Sequence, residues 1–85
     1  RKKVMNMYSV YDRVAQKFMG MFESINDGTA TRAFCAACKT GQMAQEPEDY
    51  VLYKIGQFDE DRGTFASIQR KVCDGKPNND SKGDN

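Results

Sequence analysis

Glu46-Pro47-Glu48-Asp49-Tyr50-Val51-Leu52-Tyr53-Lys54-Ile55-Gly56-Gln57-Phe58-Asp59-Glu60-Asp61-Arg62-Gly63-Thr64-Phe65 is the stretch from which the fold is read. Its first four residues form an acidic connector containing a proline. Tyr50 to Phe58 is rich in β-branched and aromatic residues, the composition of a strand. Asp59-Glu60-Asp61-Arg62-Gly63 supplies turn formers, and Gly63 can take the left-handed conformation that a short hairpin loop needs. Thr64 to Lys71 is then the returning strand. The stretch predicts an acidic loop running into a β-hairpin.

Upstream of it, Ala30, Ala33, Phe34, Ala37 and Cys38 recur at i, i+3, i+4, i+7 and i+8, one face of a helix. Asn26 or Asp27 can cap its N-terminus, Gly41 supplies a stop, and Lys39 suits the negative end of the helix dipole. Arg32, Cys35 and Lys39 fall on the opposite side, facing solvent or a partner. At the start of the chain, Val4 to Tyr11 predicts a strand with Val4, Tyr8 and Val10 on one face and Met5, Met7 and Tyr11 on the other. Residues 18–25 predict a second strand, in which Gly20 marks a bulge or a close backbone approach. Val14 to Phe18 also admits a helical turn. The order strand, strand, helix, strand, strand gives an α+β fold, ββαββ, with one helix packed on a small antiparallel sheet. Residues 1–73 are expected to form a single domain. Residues 74–85 hold no apolar side chain and are expected to be a disordered polar tail.

The chain has 85 residues and a formal net charge of +1. So small a domain buries a limited core, and a homodimer is a plausible supplement. Apolar residues make up 39% and charged residues 29%, which favours a folded domain over disorder. No apolar run approaches the roughly 18 residues that span a membrane. Arg1-Lys2-Lys3 leads into a mixed, strand-like segment rather than an apolar leader core, so a cytosolic protein is expected. Charge is segregated. Residues 1–45 carry seven basic and three acidic side chains, and residues 46–85 carry six basic and nine acidic. A surface for phosphates would therefore arise locally.

Three cysteines and no histidine bound the chemistry. An odd cysteine count in a cytosolic chain argues for reduced thiols. Cys35-Ala36-Ala37-Cys38 has the spacing of a redox or metal motif. However, it lies near a helix C-terminus, which disfavours a thiolate, and Cys73 is the one other soft ligand. Small structural residues are the simpler reading. Glu46, Glu48 and Asp49, and Asp59, Glu60 and Asp61, could offer oxygen ligands to a divalent cation, but turn chemistry accounts for them. No metal, cofactor or catalytic residue is assigned, and an enzyme is not expected.

Nine aromatic residues are interleaved with lysine and arginine. Aromatics on a sheet, flanked by cations, can stack the bases of a single strand. The candidate residues are Tyr8, Tyr11 and Tyr53 for stacking, with Arg13, Lys17, Lys54 and the Arg1–Lys3 arm for phosphates. The competing reading is that each ring fills the core. Arg32-Ala33-Phe34 is explained by packing, with Phe34 inward and Arg32 outward.

Several blocks resemble a known family. Tyr8-Ser9-Val10-Tyr11-Asp12, Asn26-Asp27-Gly28 followed by Arg32-Ala33-Phe34, and the Pro-Glu-Asp-Tyr, Leu-Tyr-x-Ile-Gly and Phe-Asp elements of the opening stretch stand in the order and spacing of the small nonstructural proteins of microviruses, in their gokushovirus branch. The similarity covers about residues 4–72, and it excludes the cysteine pair and the polar tail. It implies a phage nonstructural protein made in the cytoplasm of the bacterial host. It further implies a role in single-stranded genome synthesis or packaging, through single-stranded DNA or the replication complex. It carries over no catalytic residue. The rival expectation is a protein-interaction module that contacts the replication initiator, the procapsid or a host factor through a sheet edge or the acidic 46–61 surface.

Overall fold

The computed structural model describes residues 4–75. The Arg1–Lys3 arm and residues 76–85 lie outside the described residues, and so do the expectations placed on them. Strand β1 is Val4–Asp12, β2 Lys17–Ser24, helix α1 Asp27–Ala37, β3 Tyr50–Asp59 and β4 Thr64–Asp74. Two short 3-10 turns, Gln42–Ala44 and Pro47–Asp49, carry the chain from the helix to β3. The ββαββ order expected from the sequence is the order found. The strands lie side by side as β2-β1-β3-β4, with every pair antiparallel, so the two hairpins are joined through β1 and β3.

Both hairpins are closed the same way. Asp12 accepts the Val14 and Ala15 amides on its carboxylate, at 3.0 and 3.1 Å, and its carbonyl accepts the Gln16 amide. Asp59 repeats this with the amides of Asp61, Arg62 and Gly63. The last residue of each turn is left-handed: Gly63 has φ 70° and Gln16 has φ 59°. The helical turn considered for Val14 to Phe18 is this hairpin turn, and β2 begins at Lys17.

The Asn26 side chain caps α1, accepting the Thr29 amide at 2.8 Å. The helix covers one face of the sheet. Tyr8, Leu52, Ala30, Phe34 and Cys38 form the buried core, with Val10, Phe22, Met43, Tyr50, Val72 and Cys73 packed around them. The helical stripe is narrower than expected, because Ala33 and Ala37 are exposed. The helix also reaches β4, where the Cys73 thiol meets the Thr31 hydroxyl at 3.9 Å. Cys35 is accordingly half-buried rather than on the solvent side. The three cysteines are free thiols. Burial, and then the neighbouring Cys35 and Cys73, push the Cys38 thiol up.

The boundary expected at residue 73 moves. Asp74 pairs with Val51 in the ladder, and the Gly75 amide donates to the Tyr50 carbonyl at 2.8 Å. Backbone pairing needs no apolar side chain, which is why composition ended the domain too early. A side chain on Gly75 would collide with the Pro47 and Tyr50 carbonyl oxygens.

Candidate nucleic-acid interface

Side chains alternate across a strand, and directly paired residues share a face. The pairing Tyr8↔Phe22 and Tyr8↔Lys54 therefore places these three residues on the helix side. The pairing Tyr11↔Phe18 and Ser9↔Tyr53 places the other set on the opposite side, which nothing covers among the described residues. The expected division of β1, with Tyr8 on one face and Tyr11 on the other, is the one found.

Tyr8 has no exposed surface. Its ring stacks on Phe22 at 5.8 Å, and its hydroxyl donates to Asp27 Oδ1 at 2.7 Å. Asp27 Oδ2 pairs with Arg70 at 2.9 Å. Arg70 beside Asp27, and then the Tyr8 hydroxyl, hold that carboxyl below the usual range, with Lys54 adding a smaller pull. Burial, and then the bond to Asp27, push the Tyr8 phenol up to about 12. Tyr8 thus anchors the helix start to the sheet and drops out of the stacking set. Lys54 belongs to the same helix-side charge cluster and does not flank the Tyr53 ring. Its position two residues after Leu52, rather than its place beside Tyr53 in the chain, decides its face.

The remaining aromatics come together. Tyr11 and Phe18 have centroids 4.8 Å apart, Phe18 and Tyr53 5.4 Å, and Tyr11 and Tyr53 6.4 Å, each pair tilted or edge-on. Phe18 is 37% exposed. Beneath the cluster sits Ser9, buried, with its hydroxyl 2.9 and 3.0 Å from the Met19 and Gly20 carbonyl oxygens. Its single proton is shared between them, which pins the β-bulge expected near Gly20. Val51, paired with Tyr11, is 2% exposed and fills the floor beside the rings.

Cations line one end of this cluster. Lys71 lies directly across from Tyr53 in the ladder. Arg13 and Lys71 both reach Asp74 Oδ1 at 3.0 Å, and each is about half exposed. The Arg13 amide is tied to the Asp49 carbonyl at 2.8 Å, which fixes the turn that carries it. Lys17 is exposed at the start of β2, but it pairs with Asp12 and, as the strand neighbour of Phe18, falls on the helix side. So Tyr11, Tyr53 and Arg13 gather around one surface, joined by Phe18 and Lys71, while Lys17 drops out with Lys54. Neither Phe18 nor Lys71 is among the candidates named from the sequence. In the sequence Phe18 stands where a candidate helical turn meets the second strand, and Lys71 is separated from Tyr53 by a whole hairpin, so only the strand register brings either to the rings.

Farther along the same face the character changes. Pairing puts Met5, Met7, Met21, Phe58 and Phe65 there, with Glu23 at one corner. Met21 is 61% exposed and Phe65 43%. The Phe65 ring lies over Gly56, where any side chain would strike it. On the helix side of this end, Val4, Gln57, Asp59, Arg62, Thr64 and Ala66 line a shallow, open recess of about 210 Å³, remote from the rings.

In the acidic connector, Glu48 and then Asp49 push the Glu46 carboxyl up. Among the described residues, no group of three or more cysteine, aspartate or glutamate side chains is placed to hold a metal ion. Among them also, no helix is long and apolar enough to cross a membrane.

The family profile described as "Phage ORF5 protein" matches residues 5–77, most of the chain. The chain therefore belongs to that phage protein family. No curated protein and no solved structure matches it.

Proposed function

We propose that this member of the Phage ORF5 family binds single-stranded DNA on its helix-free sheet face, as a nonstructural accessory protein in single-stranded genome synthesis or packaging. The setting that fits is a microvirus of the gokushovirus branch, in the cytoplasm of its bacterial host. One observation carries the reading: Tyr11, Phe18 and Tyr53 cluster on an uncovered face, with Lys71 opposite Tyr53 and Arg13 at the same end, joined to it through Asp74. Bases can stack on such rings whatever their sequence, because every base has a flat π-face. Phosphates would draw Arg13 and Lys71 away from Asp74. Exposed ion pairs of this kind contribute little, so the exchange costs little. No step of the reading calls for a catalytic group or a cofactor.

The test is fluorescence anisotropy of a labelled single-stranded oligonucleotide, titrated with the protein at two salt concentrations. Saturable binding that weakens with salt, and with Tyr53→Ala or Phe18→Ala, supports the reading. Absence of binding at low salt, or binding indifferent to salt, overturns it.

A second reading has its own observation. Met5, Met7, Met21, Phe58 and Phe65 continue the face without a cation among them, which suits a protein partner better than a phosphate backbone. On that reading the protein contacts the replication initiator, the procapsid or a host factor and binds no DNA.

A further inference from the structure

We infer that a second copy of this chain covers the helix-free face, sheet against sheet, giving a symmetric dimer with the two helices outermost. This goes beyond DNA binding and does not depend on it. Apolar side chains occupy most of the face, with charges confined to two of its corners: Met5, Met7, Met21, Phe58 and Phe65 lie at one end, and Tyr11, Phe18, Val51 and Tyr53 at the other. Phe18, Met21 and Phe65 keep 37%, 61% and 43% of their surface in water.

Two further points select a second copy as the occupant. The first is area. Strands of eight to eleven residues, four abreast, make a face of about 600 Å² from ordinary strand spacing. Two such faces bury about 1,200 Å², the lower edge of what stable interfaces use. Only the whole face reaches that area, so the dimer must also cover the aromatic end. The second is charge. A twofold interface sets each patch against itself, so a patch of one sign repels its copy. Here the charges are Glu23 at one corner and the mutually paired Arg13, Asp74 and Lys71 at the diagonally opposite one. The centre carries none, and the chain's net charge of +1 adds almost no long-range repulsion. Twisted sheets that pack face to face in this way interleave their side chains about 10 Å apart.

The dimer and a DNA strand would then compete for the same rings. Sedimentation velocity over a range of protein concentrations tests the inference, on the wild type, Met21→Lys and Phe65→Lys. Met21 lies on an edge strand and is 61% exposed, so its replacement leaves the fold intact, checked by circular dichroism. The expected result is a concentration-dependent dimer, with association weakened by about 30-fold or more in either variant, since a lysine would be buried without a partner. A wild type that stays monomeric throughout overturns the inference, as does a dimer indifferent to both substitutions. Adding an unlabelled single-stranded oligonucleotide separates the two proposals. A dimer that forms while DNA fails to bind sinks the DNA reading and leaves this one standing. DNA that binds through Tyr53 while the dimer stays intact sinks this one.

Discussion

Replacing Tyr8 by Phe removes one oxygen and leaves the ring in place, so it isolates the role the structure gives this residue. At neutral pH the lost bond runs from a buried phenol to the Asp27 carboxylate, at 2.7 Å. Hydrogen bonds to charged groups contribute about 1.5–3 kcal/mol, and the lower end applies because Asp27 is partly open to water and keeps Arg70. A cost of about 1.5 kcal/mol is therefore expected near neutrality. The pH dependence follows from the phenol, whose folded-state pKa is pushed up to about 12. A raised pKa means that the folded state holds the proton more tightly. The stability this gives is complete below the unfolded value, near pH 10, and is lost as pH rises toward the folded one. The loss approaches about 1.4 kcal/mol per unit, so wild type and Tyr8→Phe should converge near pH 11. Burial and nearby acids also push up Tyr50, Cys38 and Cys73, but those losses are common to both proteins and cancel in the difference. Urea unfolding of both proteins, followed by far-ultraviolet circular dichroism over a series of alkaline pH values, reads the difference directly. Equal stability at neutral pH, or a gap that stays constant into alkali, would refute the reasoning and return Tyr8 to the candidates for an exposed platform.

Other outcomes follow from the same geometry. Gln16→Gly should stabilise the protein by about 0.5–1 kcal/mol, visible as a higher Tm, because Gln16 holds a left-handed φ of 59° that glycine adopts without strain. Gly56→Ala should cost about 1–3 kcal/mol in urea unfolding, since its methyl would lie 2.6 Å from the Ala66 carbonyl oxygen and against the Phe65 ring. In anisotropy titrations, Tyr53→Ala or Phe18→Ala should weaken single-stranded DNA binding by about 5- to 150-fold, the range for losing one stacked base. With Arg13 and Lys71 meeting phosphates, a fourfold rise in salt should weaken binding by about 7-fold, and Lys71→Ala should make that dependence shallower.

The elements of this fold were legible because each is written locally. The period of Ala30, Phe34 and Cys38 states a helix, and Asp59 to Gly63 states a turn. Alternation in β1 already separated Tyr8 from Tyr11. What alternation could not state is which face the helix would take. Tyr8 and Tyr11 look alike in the chain, and only packing by Phe34 and Phe22 makes one core and the other surface. Lys54 follows Tyr53 and Lys17 precedes Phe18 in sequence, yet adjacency along a strand puts neighbours on opposite faces. Phe18 and Lys71 reach the rings through cross-strand pairs, and a single chain read in order does not display its pairings. Asp74 and Gly75 escaped for a different reason, since their contacts are backbone bonds that hydropathy does not record.

The two aspartate turns bear on the site more than their position suggests. Asp12 sets the register of β1 against β2, and a slip of one residue there would move Tyr11 and Phe18 off their shared face. Asp59 does the same for β3 and β4, and a register shift between Lys54 and Gly56 then sets Lys71, rather than Arg70, against Tyr53. The register shift between Ser9 and Tyr11, held by the Ser9 hydroxyl, then brings Phe18 rather than a methionine opposite Tyr11. Tyr11 and Phe18 thus meet because one turn and one bulge agree on the count, and the β1–β3 ladder, pairing Ser9 with Tyr53, brings the third ring to them. Each of these devices lies outside the rings themselves. An aromatic face assembled this way is fixed before any ligand arrives, and its rings need no further ordering when a base or a second copy of the chain takes their place in water.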